Sequence, residues 1–336
     1  KPVAVRPGGP AVFSLMRDES YFLPFFFEHY RALGVELFLI YDDRSGPATV
    51  DYLMQQADCA ILRSESAFGD SFGKDAFGVP RRLPRVLKEN VPDTFLPGQW
   101  VLTVDADEFL VLPSGCSNLH EFVATLDRLG QLYATAPMVD FYGETLDHRN
   151  YPRDLDPFAG NPYFDAGPYY YWTGALWPVR LTGSIRLRLV RMLLERRPDL
   201  VTDIFGGPIP SLGKSWKVPL LKHGRGILRQ GDHEISVPPR ASDLSAALAH
   251  FKFYPDLDAK IAGALRERQY AAGSVEYTFL KAAIELFGQE SLIGAETRRF
   301  EGPRSLERAG LLGVTSASAD PAKPFGPGAS TPPLAG

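Results

Sequence analysis

Short apolar runs alternate with segments of helical periodicity through the first third of this chain, and that alternation constrains the fold more than any other feature. Ala11–Met16 (AVFSLM), Val35–Tyr41 (VELFLIY), Cys59–Leu62 and Trp100–Val104 (WVLTV) have the length and apolar continuity of strands buried on both faces. Between them, Tyr21–Leu33 carries apolar residues at helical spacing, with Pro24 admissible in the first turn and Gly34 as the stop. Pro47 opens another helix after the loop Asp42–Pro47, and Lys74–Asn90 reads as a basic helical stretch broken by Pro80 and Pro84. Strands alternating with helices predict βαβ units. The expected fold class is therefore α/β, with a mostly parallel central sheet flanked by helices.

Beyond Leu110 the pattern changes. Helix is predicted over Asn118–Leu129, Pro255–Tyr270 and Val275–Phe287. Strand is predicted over Leu132–Tyr142, Ile185–Leu194, Trp216–Lys222 and the end of Leu244–Phe253. Residues 143–184 are rich in Tyr, Trp, Pro, Gly and Asp, and a loop of that length is usually functional. The ordered part reads as a single domain over 11–300, divided at about residue 112. Residues 1–10 and 314–336 read as disordered tails, the latter built of Ala, Pro, Gly and Ser.

The sharpest chemical feature is Val104-Asp105-Ala106-Asp107-Glu108-Phe109-Leu110. A buried strand ends in acidic residues, and in open α/β sheets ligands bind outside the carboxyl ends of strands. Two aspartates separated by one small residue can turn toward one hard cation, and carboxylate oxygens suit Mg²⁺ or Mn²⁺. Two further clusters, Arg17-Asp18-Glu19 and Asp42-Asp43-Arg44-Ser45, follow the first two strands and so fall on the same sheet edge. Carboxylates there can accept hydrogen bonds from ribose hydroxyls or a base N–H. Taken singly, each is also an ordinary solvated loop or helix cap.

The stretches Arg17–Leu53 and Trp100–Leu110 (WVLTVDADEFL) resemble bacterial family-2-type glycosyltransferases of the GT-A fold. Lys217-Val218-Pro219-Leu220 and Leu248-Ala249-His250-Phe251-Lys252-Phe253 match the same subgroup, which has a D-x-D-E-F centre. The resemblance spans about 11–290. It implies a GT-A-like fold, with a Rossmann-like nucleotide-sugar-binding half over 11–112 and an acceptor half over 113–300. It also implies a nucleotide-sugar donor, UDP-sugar favoured, a glycan or lipid-linked acceptor, and transfer with inversion at the sugar centre. By the same resemblance Asp107 is the direct metal ligand and Asp105 contacts donor ribose or the metal through water. Asp42 and Asp43 lie near the nucleotide base and ribose, with Arg17 and Glu19 beside them. The sequence departs from the subgroup at Asp18, at Asp43-Arg44-Ser45 and at Pro47.

Histidine would supply a further metal ligand. His250 and His233 are the candidates, and Lys252, two residues beyond His250, could bind a diphosphate as a point charge. Lys217 is a second candidate for phosphate. Sugar transfer with inversion needs a base for the acceptor hydroxyl. Asp232, Glu234 and Asp140 are candidates that the sequence does not separate. Tyr171 and Trp172, in the run Tyr169–Trp172, could stack on sugar rings.

Other classes fit less well. The chain has 336 residues and a net charge of −4, without the basic excess of a nucleic-acid binder. It has no GxxxxGK[ST], GxGxxG after the first strand, GxSxG or HExxH. A nucleotidyltransferase remains the alternative enzyme, although it typically wants a Gly-rich basic loop where this chain has Arg17-Asp18-Glu19-Ser20. A non-catalytic carbohydrate-binding protein would use the aromatic loops and leave the acidic centre without a purpose. Two cysteines, Cys59 and Cys116, are too few for a disulfide framework. With no apolar run near the length of a bilayer span and no signal-peptide run in residues 1–10, the expected location is cytoplasmic, with peripheral membrane association through an acceptor conceivable.

Overall fold

The structure, a computed structural model, describes residues 9–75, 78, 80–167, 170–171, 179–180, 184–207, 215–231, 233–240, 243–268 and 270–314. The predicted alternation is present: β1 (Ala11–Met16), α1 (Leu23–Ala32), β2 (Leu37–Asp42), α2 (Pro47–Gln55) and β3 (Cys59–Leu62). A hairpin of β4 (Ser71–Lys74) and β5 (Pro80–Arg82) leads into α3 (Leu83–Phe95) and β6 (Trp100–Thr103). Then come β7 (Glu108–Val111), α4 (Leu119–Arg128) and the long β8 (Tyr133–Tyr142). Short α5 (Pro157–Gly160), β9 (Tyr163–Asp165), β10 (Tyr170–Tyr171) and β11 (Val179–Arg180) precede α6 (Ile185–Arg196) and α7 (Pro198–Phe205). After them lie β12 (Trp216–Lys222), β13 (Arg229–Gln230), β14 (Glu234–Ile235), β15 (Leu244–Ser245) and β16 (Ala247–Phe251). The described chain closes with α8 (Leu257–Glu267), α9 (Ala271–Phe287), β17 (Thr297–Arg299), α10 (Pro303–Arg308) and β18 (Gly313–Val314).

The central sheet is 10-stranded, ordered β17-β9-β8-β12-β6-β1-β2-β3, with β16 joined to β8 and β7 joined to β16. β3, β2, β1, β6, β8, β16 and β17 run one way, and β7, β9 and β12 run against them. Strands β1 and β2 are apolar on both faces because both faces are covered. Val12, Met16, Phe38 and Ile40 join a core with α1, α4, α6, α8 and α9. Ala11, Phe13, Leu15, Leu37, Leu39 and Tyr41 pack instead with Leu83, Val91 and Leu96 of α3 and its end. The period-2 split between two cores is the geometry of a pleated strand between helical layers. Among the described residues no helix is long and apolar enough to cross a membrane. Cys59 and Cys116 are both free thiols.

Two predicted elements are corrected. Ile185–Leu194 is helix α6, not strand. Its opening Ile-Arg-Leu-Arg-Leu alternates like a strand, but the buried residues Ile185, Arg186, Leu189, Val190 and Leu193 recur at helical spacing. Ser184 caps the helix, its side chain accepting the Leu187 N–H. Lys74–Asn90 is not one broken helix. Pro80 sits in β5, and Pro84 lies in the first turn of α3, where its missing N–H costs nothing.

Candidate active site

The parallel strands β1, β2, β6, β8 and β16 end at one edge of the sheet, and the polar residues that follow them converge there. After β1 and β2 the chain turns through Asp18 (φ 55°) and Arg44 (φ 58°), a left-handed backbone that non-glycine residues rarely adopt. The two loops are tied together, with Asp18 N–H donating to Ser45 Oγ (2.9 Å) and Gly46 N–H to Asp18 Oδ1 (2.7 Å). Asp42 is spent on this frame. It accepts from Ser45 N–H (3.2 Å) and Arg63 Nε (2.9 Å). Asp43 is different. It is fully buried, and neither of its oxygens completes a hydrogen bond within the described residues. Arg44 Nε at 3.4 Å and Arg17 Nη1 at 3.9 Å are in ion-pair range, yet burial keeps the carboxyl above its usual value. Arg17 itself donates to Glu267 (2.8 Å), and Glu19 accepts from Lys260 (2.5 Å). Burial raises the Glu19 carboxyl despite the Lys260 ammonium.

The acidic centre forms a tight turn between β6 and β7. Glu108 N–H donates to Asp105 O (3.1 Å), and Asp105 N–H donates back to Glu108 Oε2 (3.0 Å). Lys217 of β12 lies beneath it, 2.6 and 2.8 Å from the two Glu108 oxygens and 3.0 Å from Asp105 Oδ2. Lys88 of α3 takes Asp105 Oδ1 at 2.9 Å. Burial alone would raise the Asp105 carboxyl, but Lys217 and Lys88 outweigh it and hold it well below the usual range.

Sheet register supplies the rest. In β16, His250 stands opposite Glu108 of β7 on one side and Asp140 of β8 on the other. Its Nδ1 meets Asp140 Oδ1 at 2.6 Å, and its Nε2 faces Asp107 Oδ2 at 3.6 Å, too far for a hydrogen bond. Lys252 donates to Asp107 Oδ2 (3.0 Å), and Phe251 N–H donates to the Asp107 carbonyl (2.9 Å). Burial tends to raise Asp107, but Lys252 and His250 keep it below its ordinary value. Behind His250, Asp140 Oδ2 accepts from Arg186 Nε (2.9 Å), and Arg186 Nη1 donates to Glu276 (2.7 Å). Asp140 is 1% exposed, and Arg186 with His250 overrides burial to hold its carboxyl low.

One ligand atom from each of Asp107, Glu108 and His250 falls within 4.8 Å of the others, the group within the described residues that could share a metal ion. The two carboxylates suit Mg²⁺ or Mn²⁺, while the imidazole is a softer donor that tilts the set away from Mg²⁺ toward a transition metal. Within that group Glu108 is already matched by Lys217. Asp107 is likewise engaged by Lys252, and of the three side chains it is the most exposed, with Glu108 and His250 buried.

The other sequence candidates are placed as follows. Asp105 and Lys217 join the cluster but face each other. His233 lies outside the metal group, its Nδ1 2.7 Å from the Trp216 carbonyl, and Glu234 begins β14 in the same hairpin. Asp140 is at the site as His250's partner; a carboxylate engaged at both oxygens and held this low is a poor proton acceptor. Tyr171 lies on β10, while Trp172 and Asp232 fall outside the described residues. Lys88, Arg186, Glu276 and Lys260 were missed. Arg186 had a signal: a lone charge in the apolar stripe of α6, visible once that segment is read as helix.

No family model and no curated protein sequence matches this chain. Among solved structures it is similar to a UDP-glucose pyrophosphorylase complexed with UDP-glucose, at 12% identity and TM-score 0.24 over 47% of this chain and 66% of that one. At that level of superposition the likeness says nothing of what this chain does.

Proposed function

We propose that this chain is a glycosyltransferase of GT-A type, moving a sugar from a nucleotide-diphosphate sugar, UDP-sugar favoured, to a hydroxyl of a glycan or lipid-linked acceptor with the aid of Mn²⁺ or Mg²⁺. One observation carries the reading: the Asp107 carboxylate, His250 Nε2 and the Lys252 ammonium converge at the carboxyl edge of the sheet. Held by Asp107 and His250, a divalent cation would neutralise charge on the departing diphosphate. Lys252, now paired with Asp107, supplies a second positive charge for the same phosphates. Asp43 offers a buried acceptor without a completed hydrogen bond, suited to ribose hydroxyls or a base N–H. Lys88 and Lys217 balance Asp105 and Glu108 beneath, so the acidic turn stays in place before ligand arrives.

Thermal unfolding against nucleoside diphosphates and nucleotide sugars, with and without Mn²⁺, tests this. A ligand at about 100 times its Kd stabilises by about 2.7 kcal/mol. The expected result is a Mn²⁺-dependent shift with one nucleotide, lost in Asp107→Ala. A flat panel in a cooperatively unfolding protein would sink the reading. Release of pyrophosphate from a nucleoside triphosphate and a sugar phosphate would instead identify a nucleotidyltransferase. Sugar binding that survives Asp107→Ala, with no nucleotide response, would identify a carbohydrate-binding protein.

A further inference from the structure

His250 belongs to a continuous buried chain of charges: Glu276 on α9, Arg186 on α6, Asp140 on β8, then the imidazole on β16. The links are 2.7, 2.9 and 2.6 Å, and Asp140 and Arg186 are both within a tenth of full burial. Burying Asp140 and Arg186 is costly, and hydrophobic packing would hold α6 to β8 at least as well. The arrangement does fix one thing that apolar residues could not. An ionised carboxylate only accepts, so Asp140 Oδ1 demands a proton on His250 Nδ1. In the neutral ring that leaves the lone pair on Nε2, which faces Asp107 Oδ2 at 3.6 Å without a hydrogen bond. Arg186 cannot accept, so it commits the other Asp140 oxygen and stops the carboxylate from turning away.

We infer that Asp140 and Arg186, anchored by Glu276, are positioning residues that hold His250 in the Nδ1–H tautomer with Nε2 presented to a divalent cation beside Asp107. The cation half of this rests on the functional reading above; the tautomer half does not. Partners behind a metal-bound histidine typically change metal affinity 10–100-fold when removed.

The test is made on the full chain carrying ¹⁵N-labelled histidine, at about pH 8, where an ordinary imidazole is neutral. In the wild type without added metal, the His250 nitrogens should show a protonated Nδ1 and an unprotonated Nε2. In Asp140→Asn the single side-chain oxygen is taken by Arg186, which can only donate. The amide NH₂ then faces Nδ1 and moves the ring proton to Nε2. That variant should show the opposite tautomer and bind Mn²⁺ about 10–100-fold more weakly by paramagnetic resonance of free Mn²⁺. Glu276→Gln, at the more exposed end of the chain, should keep the Nδ1–H tautomer with a smaller loss of affinity. A wild type with the proton on Nε2 overturns the inference without any variant having to fold, as does an Asp140→Asn protein that keeps the wild-type tautomer and affinity. A wild type with the expected tautomer that binds no Mn²⁺ overturns the metal reading instead.

Discussion

Lys217 and Asp107 show how differently two charged residues of one site are held. The Lys217 ammonium is 2% exposed and lies between Glu108 and Asp105, so its charge has no route to water. Glu108→Gln should therefore cost about 3–5 kcal/mol in urea unfolding, the range for breaking a buried pair. A loss under about 1 kcal/mol would show that water reaches the pair. Asp107 stands at the edge, and its partner Lys252 shares its partial exposure. Asp107→Ala should cost only about 1–3 kcal/mol, as for a hydrogen bond to a charged group, while abolishing the nucleotide-dependent shift. The acidic turn, His250 and Lys252 were legible in the sequence because chemistry and strand-end position coincide within a few residues. Lys88, Arg186 and Glu276 were not. All three reach the site from helices, Glu276 from far along the chain, and a charged residue on a helix looks like any surface charge until its partner is known.

At the scale of elements, α4 is the clearest case of local sequence deciding local structure. Asn118 Oδ1 accepts the Glu121 N–H (2.9 Å), and Glu121 in turn accepts from Ser117 N–H and Oγ, both at 2.8 Å. Leu119, Phe122, Val123 and Leu126 then form the buried stripe. Asn118→Ala should lower stability by about 1 kcal/mol without altering the response to nucleotide and Mn²⁺, since no site residue lies on α4. Equal loss of ligand response would mean α4 couples to the site in a way its contacts do not show. Helix α6 is the opposite case. Its Arg-Leu-Arg-Leu alternation satisfies the period of a strand over its first turns, and only the full run to Leu193 restores the helical period. The misreading also concealed Arg186, whose place in the apolar stripe is meaningful only on a helix. The central order of β16 between β7 and β8 was similarly hidden, because pairing partners more than a hundred residues apart leave no mark on local periodicity.

Several buried carboxyls at or near the candidate site are shifted, and their shifts have two signs. Asp105, Asp107, Asp140 and Glu276 are held below their ordinary values by buried cations that outweigh burial itself. Each contributes stability that is complete above the unfolded value near 4 and drains away as pH falls toward the lower folded value. Glu19, Asp43 and Asp165 are raised by burial, so their contribution is present at low pH and lost as pH rises through their folded values. Between pH 7 and 5 the lowered carboxyls hold constant, while His29 and His223, kept neutral by burial, are protonated first in the unfolded chain, so the urea midpoint should begin to fall. Below about pH 4 the lowered group dominates and the midpoint should fall steeply. Asp140→Asn separates the two effects. At neutral pH it breaks a buried ion pair and should cost about 3–5 kcal/mol. Below about pH 4 the unfolded chain takes up the proton that folded Asp140, held far lower by Arg186 and His250, still refuses, so the wild type begins to lose what the variant never had and the gap should narrow by pH 3. Unfolding curves at pH 7, 5 and 3 decide the matter. A constant gap at all three would mean that Asp140 acts through shape alone, and the charge chain from Glu276 to His250 would have no electrostatic part in holding the sheet edge together.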